Sequence, residues 1–328
     1  EEISLIASMR PGLIQLEIGV QSTNERTIRE IRRKTSFDKI AETVRKVQKG
    51  GNVHQHLDLI AGLPYEDYRN FPRSFGQVYS LRPQQLQLGF LKVLKGSYMH
   101  EMAEAYGCVY QEAEPYEVLK TNWISYGDVL RLKGVEEMVE VYYNSGQFIR
   151  TVKAMEELFP DAFSMYEALA DFYDEKGYQG ISHTRIRRYE ILLEYLEERQ
   201  QADTEYFREL MLFDLYAREN LKTRPSWACD MAPYKKRLQA FYREEEENPV
   251  LLADYKGYQA RQTMKMTHLE VFHYDILGGE KKRGEFPVLF DYRRRNPLTY
   301  DAAMCAVNLE SGIDCQGEDY DKKDKRDT

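Results

Sequence analysis

The sequence predicts an α/β partial barrel of three βα units, followed by a mainly α-helical domain that carries a late β-hairpin. Three stretches predict the first part: Leu13–Ser22 (LIQLEIGVQS), Val53–Pro64 (VHQHLDLIAGLP) and Pro83–Leu94 (PQQLQLGFLKVL). Each alternates apolar and polar residues with period two, the mark of a strand with two different faces. The intervening segments are long enough for helices, which implies parallel strands. Parallel strands covered on both sides read as continuous apolar runs, yet here one side stays polar. A barrel-like sheet resolves the conflict, with helices on its outer face and a ligand cavity on its inner face. An antiparallel sheet with one wet face is the competing reading; the long, helix-bearing connections weigh against it.

In chain order, EEISLIASMRPG reads as a helix tail running straight into the first strand. A barrel cannot begin there, so the chain is expected to be the C-terminal portion of something larger. In the first strand Ile14, Leu16, Ile18 and Val20 share one side, and Gln15, Glu17, Gly19 and Gln21 the other. Asn24–Arg33 begins a helix, with Thr23 or Asn24 as N-cap. Ser36–Gly50 continues with Phe37, Ile40, Ala41, Val44 and Val47 at helical spacing, capped by Ser36 and stopped by Gly50-Gly51. The second strand sets Leu57 and Leu59 against His54, His56, Asp58 and Ile60, and ends in a Gly62-Leu63-Pro64 turn. Tyr68–Leu81 is a third helix, halted by Arg82-Pro83. The third strand sets Leu86, Leu88 and Phe90 against Gln85, Gln87, Gly89 and Leu91, and runs to Lys95-Gly96.

Near Cys108–Pro115 the period-two signal vanishes. Gly127–Leu221 becomes a train of amphipathic helices broken near Ser145-Gly146, Pro160-Asp161, Gly177–Gly180 and Gln201–Asp203. The acidic run Glu244–Glu247 reads as solvated helix surface. Thr267–Ile276 and Phe286–Tyr292 read as two strands of a hairpin around Gly278–Gly284. The predicted division is 1–110 (barrel part), 111–310 (helical domain) and 311–328, a charged tail expected to be disordered.

Composition narrows the function. At 328 residues the chain is long enough for two domains, 42% hydrophobic residues can build their cores, and 30% charged residues are those of a soluble protein. A net charge of −8 gives no general pull toward nucleic acid or an anionic membrane surface. No apolar run approaches the roughly 18 residues of a spanning helix. Four sparse cysteines suit a reducing cytoplasm. The twenty-five tyrosines suit helix contacts with their hydroxyls wet.

Ligands of βα barrels sit at the carboxyl ends of the strands. Gln21 closes the first strand there, inward by parity with Glu17 and Gly19, and Asp58 faces inward near the end of the second. A carboxylate beside an amide suits a pair of vicinal hydroxyls such as a ribose. The plainer reading makes Asp58 half of a buried ion pair with Arg33, and Gln21 a helix cap. Taken together, LEIGVQS, Arg33 twelve residues after Gln21, and DLIAGLP with Asp58 thirty-seven after it resemble the C-terminal half of the radical SAM core. The likeness is to the branch that includes oxygen-independent coproporphyrinogen oxidase and the cobalamin-binding enzymes, and it covers Leu13–Gly96. It implies that Gln21 and Asp58 hold the ribose hydroxyls of S-adenosylmethionine and that Arg33 reaches its methionyl end. Ile60 and Leu91 would line the adenine, and Glu17 would be a secondary polar contact. Tyr116–Asn308, through ISHTRIRRYEILLEYL, LFDLYARENLKTRP and HLEVFHYDI, resembles the helical domain of unknown function often appended to cobalamin-binding radical SAM proteins.

The resemblance implies a [4Fe-4S] cluster, S-adenosylmethionine and, in a longer parent, cobalamin. Such a cluster needs three thiolates in a C-x₃-C-x₂-C loop. Here Cys108, Cys229, Cys305 and Cys315 are separated by 121, 76 and 10 positions, and no D-x-H-x-x-G cobalamin motif is present. The expectation is a fragment of a radical SAM enzyme that is inactive alone, with no catalytic or metal-ligating residue of its own. Its substrate is an unidentified small molecule or macromolecule. Among Cys and His pairs only His54/His56 has usable metal spacing. His183, Arg185, Arg187 and Arg188 form a basic cluster read as structural ion pairs. The rival reading is a non-enzymatic interaction module with a wet half-barrel cavity. Half a barrel leaves the first strand's edge unpaired, so Leu13–Ser22 is expected to pair with the N-terminal residues, to pair with another chain in self-association, or to be poorly ordered.

Overall fold

Alternation in the three N-terminal stretches becomes one parallel sheet in the computed structural model, which describes residues 2–199 and 203–309. The tail expected to be disordered lies outside the described residues. The chain divides into two units, Glu1–His183 and Thr184–Thr328, each taken by itself below.

In the first unit, α1 (Glu2–Ala7) precedes β1 (Gln15–Gln21), α2 (Glu25–Glu30), α3 (Phe37–Gln48), β2 (His54–Ala61), α4 (Phe71–Tyr79) and β3 (Gln85–Phe90). The strand order is β1-β2-β3, parallel throughout, with Glu17 beside His56, Gly19 beside Asp58, and Asp58 beside Gln87. Asn24 caps α2, its side chain accepting from the amides of Arg26 and Thr27. Ser36 stands at the N-cap of α3 in extended conformation without a side-chain cap bond. Leu57 and Leu59 are wholly buried, as are Val44 of α3 and Phe75 and Val78 of α4. Full burial of one such side chain contributes about 1.5–3 kcal/mol. The structure shows a mixed α/β arrangement around a three-stranded parallel sheet.

The third strand is shorter than expected. It ends at Phe90, after which the chain turns to another partner: the Val118 amide donates to the Leu91 carbonyl, and the Val93 amide to that of Tyr116. Beyond it come α5 (Tyr98–Glu101) and a short antiparallel pair, β4 (Val109–Tyr110) with β5 (Val118–Lys120), which sequence alternation did not reveal because each strand is two or three residues long. Then follow α6 (Tyr126–Val139), a single π-turn (Glu140–Asn144), α7 (Ile149–Glu156) and α8 (Ala162–Glu175). A capping box between Ser125 and Asp128 opens α6, and Asp161 caps α8. The tyrosine hydroxyls are not simply wet: Tyr142 and Tyr173 share a bond of 2.7 Å, and Tyr79 and Tyr166 one of 3.1 Å. Buried hydroxyls need partners, and here other tyrosines provide them.

The second unit comprises α9 (Arg185–Arg199), α10 (Thr204–Arg218), α11 (Lys235–Glu247), α12 (Ala260–Met266), β6 (Thr267–Asp275), β7 (Glu280–Arg295) and β8 (Ala302–Ala306). The expected hairpin exists as β6 and β7, but β7 extends to Arg295 and β8 adds a third antiparallel strand. The acidic run is exposed as expected at Glu244, Glu246 and Glu247, but not at Glu245. Glu245 is buried, and its carboxylate accepts from the amides of Val250, Leu251 and Leu252, pinning the chain as it leaves α11. Of the basic cluster, Arg185 pairs with Glu219, and Arg187 with Glu190 and Glu194.

Candidate functional site

One face of the β1–β2–β3 sheet carries the polar residues that alternation placed there. In register across the strands lie Glu17, His56 and Gln85, then Gly19, Asp58 and Gln87, then Ile60 and Gly89. The parity argument for Gln21 does not hold as stated. The register shifts between Gly19 and Gln21, and Gln21 has φ +68°, a left-handed conformation costly for a side chain of this kind. The bulge re-aims the residue. Its amide folds back over Gly19, where a Cβ would stand 2.7 Å from Nε2 of Gln21 and 3.5 Å from a guanidinium nitrogen of Arg33. Only glycine leaves room for this overlay. Gln21 and Arg33 therefore meet above the strand position that neighbours Asp58.

Asp58 does not pair with Arg33, for which no ion pair exists among the described residues. The ionisable side chain beside it is His56, two residues back on the same face, with Nε2 3.2 Å from Oδ1. That approach lacks hydrogen-bond geometry, and both atoms are buried without a hydrogen-bond partner among the described residues. Burial raises the Asp58 carboxyl above its usual range; the nearby His56 opposes the shift and the negative charge of Glu17 adds to it. Burial likewise lowers His54, helped by His56 and opposed by a hydrogen bond to Gln85. A buried acceptor without a donor is costly, and a ligand hydroxyl is the kind of group that would relieve it.

The two apolar residues share one cluster but differ in burial. Leu91 is 5% exposed, in a cluster with Leu63, Val93 and Val118, while Ile60 is half-buried against that cluster. Glu17 is exposed, in register beside His56.

Sequence reasoning missed the support beneath this face. Glu66 is buried, and one carboxylate oxygen accepts from the hydroxyls of Ser22 and Ser74, while Oε2 has no partner among the described residues. Burial raises its pKa despite the two serine bonds. Asn24 donates to the Tyr65 carbonyl at 2.9 Å, and Tyr65 also has positive φ, +63°. These contacts fix the two strand ends relative to each other. The QS of the first motif and the E after GLPY were visible, but nothing in their spacing announces a shared bond. Elsewhere, a cavity of about 140 Å³ at the β3 edge, lined by Gln85, Gln87, Glu136, Glu140 and Asn144, is too small for a nucleoside.

The fold and this face define an α/β protein with a polar patch at the carboxyl ends of parallel strands, the usual place for a small ligand in such sheets. The chain belongs to the family described as "Protein of unknown function (DUF4080)", whose model matches residues 104–290, more than half of its length and outside β1–β3. No curated protein matches. Among solved structures, the chain is similar to coproporphyrinogen III oxidase (HemN) from Escherichia coli, described as a radical SAM enzyme, with TM-score 0.25 and 18% identity. The likeness covers 38% of this chain and 33% of that one, so the chain spans about a third of the enzyme it matches. A TM-score of that size fixes neither fold nor function. No helix among the described residues is long and apolar enough to cross a membrane.

Proposed function

We propose that the polar face of β1–β3 binds the nucleoside part of S-adenosylmethionine, and that the chain is part of a radical SAM enzyme whose substrate is an unidentified small molecule or macromolecule. The observation that carries this reading is the overlay at Gly19: the Gln21 amide and the Arg33 guanidinium meet beside Asp58, whose Oδ1 has no hydrogen-bond partner among the described residues. A carboxylate accepts from both hydroxyls of a ribose, and an amide can accept from one while donating to the other. A guanidinium offers paired donors to the ligand's only carboxylate, at its methionyl end. Ile60 supplies an apolar flank for the base, Leu91 packs behind it, and Glu17 is an outer polar contact. In this reading residues 1–110 derive from a partial barrel and residues 111–310 form the appended part.

The residues fit the nucleoside but not the iron–sulfur group. A [4Fe-4S] cluster needs several thiolates, and residues 1–183 contain one cysteine, Cys108. No step of electron transfer is therefore assigned to this chain, and no residue present supports cobalamin.

Calorimetric titration tests the reading with S-adenosylmethionine and, separately, 5′-deoxyadenosine. Both should bind. A hydrogen bond to a charged group is worth about 1.5–3 kcal/mol, so Asp58→Ala should weaken both ligands by about tenfold to a hundredfold. Arg33→Ala should weaken only S-adenosylmethionine, since 5′-deoxyadenosine has no carboxylate. Equal binding by wild type and Asp58→Ala would remove the ribose assignment.

A further inference from the structure

In the second unit, three elements distant in sequence bring a carboxylate, a thiol and an imidazole together. Glu209 comes from α10, Cys229 from the loop between α10 and α11, and His273 from β6. One ligand atom from each lies within 4.8 Å of the other two. No spacing rule finds this set, because its members are 20 and 44 positions apart in the chain.

The cluster is held in place from several sides. Glu209 is buried, and its carboxylate accepts from the amides of His273 and Tyr274 and lies 2.6 Å from Nδ1 of His273. The cysteine is fixed through its backbone: Arg224 donates to the Cys229 carbonyl from Nε at 3.0 Å and from a terminal nitrogen at 2.7 Å. The same guanidinium forks onto both oxygens of Glu270, a buried carboxylate on the strand that carries His273. The loop is thus strapped to β6, and the thiol is delivered to Glu209 and His273. Among the described residues no hydrogen bond to the Cys229 sulfur exists. Cys229 is half-buried and the His273 side chain is 39% exposed, so a ligand can enter from the side.

We propose that Glu209, Cys229 and His273 form a binding site for a thiophilic divalent cation, zinc(II) by preference. Thiolate, imidazole and carboxylate are its usual ligands, and three protein ligands with one side open leave a fourth position for water or substrate. The hard cations Mg²⁺ and Ca²⁺ select all-oxygen sets and gain little from sulfur. On binding, the Cys229 S–H gives its proton to solvent as the sulfur–metal bond forms. The Arg224–Glu270 strap and the two backbone amides on Glu209 are outer contacts that orient the ligands. A Cys–His–Glu nucleophilic triad is the other chemistry of these groups. Such a triad needs the imidazole hydrogen-bonded to the sulfur, and among the described residues the Cys229 sulfur has no such bond, while Nδ1 of His273 faces Glu209.

The test uses the full chain, reduced and stripped with chelator, titrated with zinc chloride against a chelating dye and, in parallel, with cobalt(II). One equivalent of zinc should bind, and cobalt should give a thiolate-to-metal charge-transfer band. Cys229→Ser and His273→Ala should each weaken zinc by more than the about 10–100-fold that loss of an outer contact costs, and Cys229→Ser should abolish the band. Arg224→Lys should weaken zinc within that range and keep the band. Absence of stoichiometric binding overturns the proposal, as does cobalt binding without the band or affinity unchanged in both ligand variants. Cys229→Ser changes one atom at a half-buried position, so a folded variant is available even if Glu209→Gln does not fold.

Discussion

Glu66 shows how much a single buried carboxylate governs here. Burial holds its pKa above the ordinary value against the bonds from Ser74 and Ser22. The folded chain therefore keeps that proton to higher pH than the unfolded chain does. Its contribution to stability is complete below the unfolded value of about 4.3 and is lost as pH rises through the folded pKa. Asp58, Glu136 and Glu209 are shifted in the same direction, each first by burial. Glu66→Gln removes one such ionisation while leaving an oxygen to accept from Ser22 and Ser74. Thermal midpoints measured from pH 4 to pH 8 should show the variant gaining on wild type as pH rises. A constant gap across that range would mean that Glu66 does not titrate as described. At this scale the sequence was partly legible. That Asp58 shares a sheet face with the other polar positions followed from alternation, but its neighbour did not: the plainer reading paired it with Arg33, whereas His56 on the same strand face stands 3.2 Å from its carboxylate. Gln21 reached the same face by a bulge that parity cannot see.

At the scale of elements, the three parallel strands and the helices between them were legible because each buries one stripe at its own period. The third strand ended early because, after a last sheet bond from the Leu91 amide to the Ala61 carbonyl, Leu91 and Val93 found further backbone partners in residues 116–118. The β3 edge has a further partner that no pattern announces. Asn144 ends the π-turn, and its side-chain amide accepts from the Leu86 amide and donates to the Leu86 carbonyl, both at 2.9 Å. One side chain thus replaces a neighbouring strand for one residue. Asn144→Ala would leave that donor and that acceptor without partners, at a cost of about 1–3 kcal/mol. The urea midpoint should fall with no change in slope, and the Leu86 amide should lose hydrogen-exchange protection. Unchanged protection at Leu86 would show that another group takes over the edge.

At the scale of the whole molecule, the opposite edge of the sheet sets the last expectation. β1 is the first strand in the order β1-β2-β3, and among the described residues no strand pairs with its outer side. An unpaired edge is a template for another chain unless something blunts it. The bulge at Gln21 protects only the carboxyl end, since a local twist of that kind interrupts pairing beyond it. Gln15 and Glu17 are exposed, but the backbone from Gln15 to Gly19 stays regular. A second copy pairing there would gain a few backbone hydrogen bonds, each worth about 0.5–1.5 kcal/mol net, against the entropy of association. The balance predicts weak, reversible dimers. Sedimentation at increasing protein concentration should therefore show the average mass rising. Gln15→Lys, which places a charge on the exposed side of the edge, should shift the curve toward monomer without lowering the thermal midpoint. A mass that stays monomeric at every concentration would show that residues outside β1 already cover the edge.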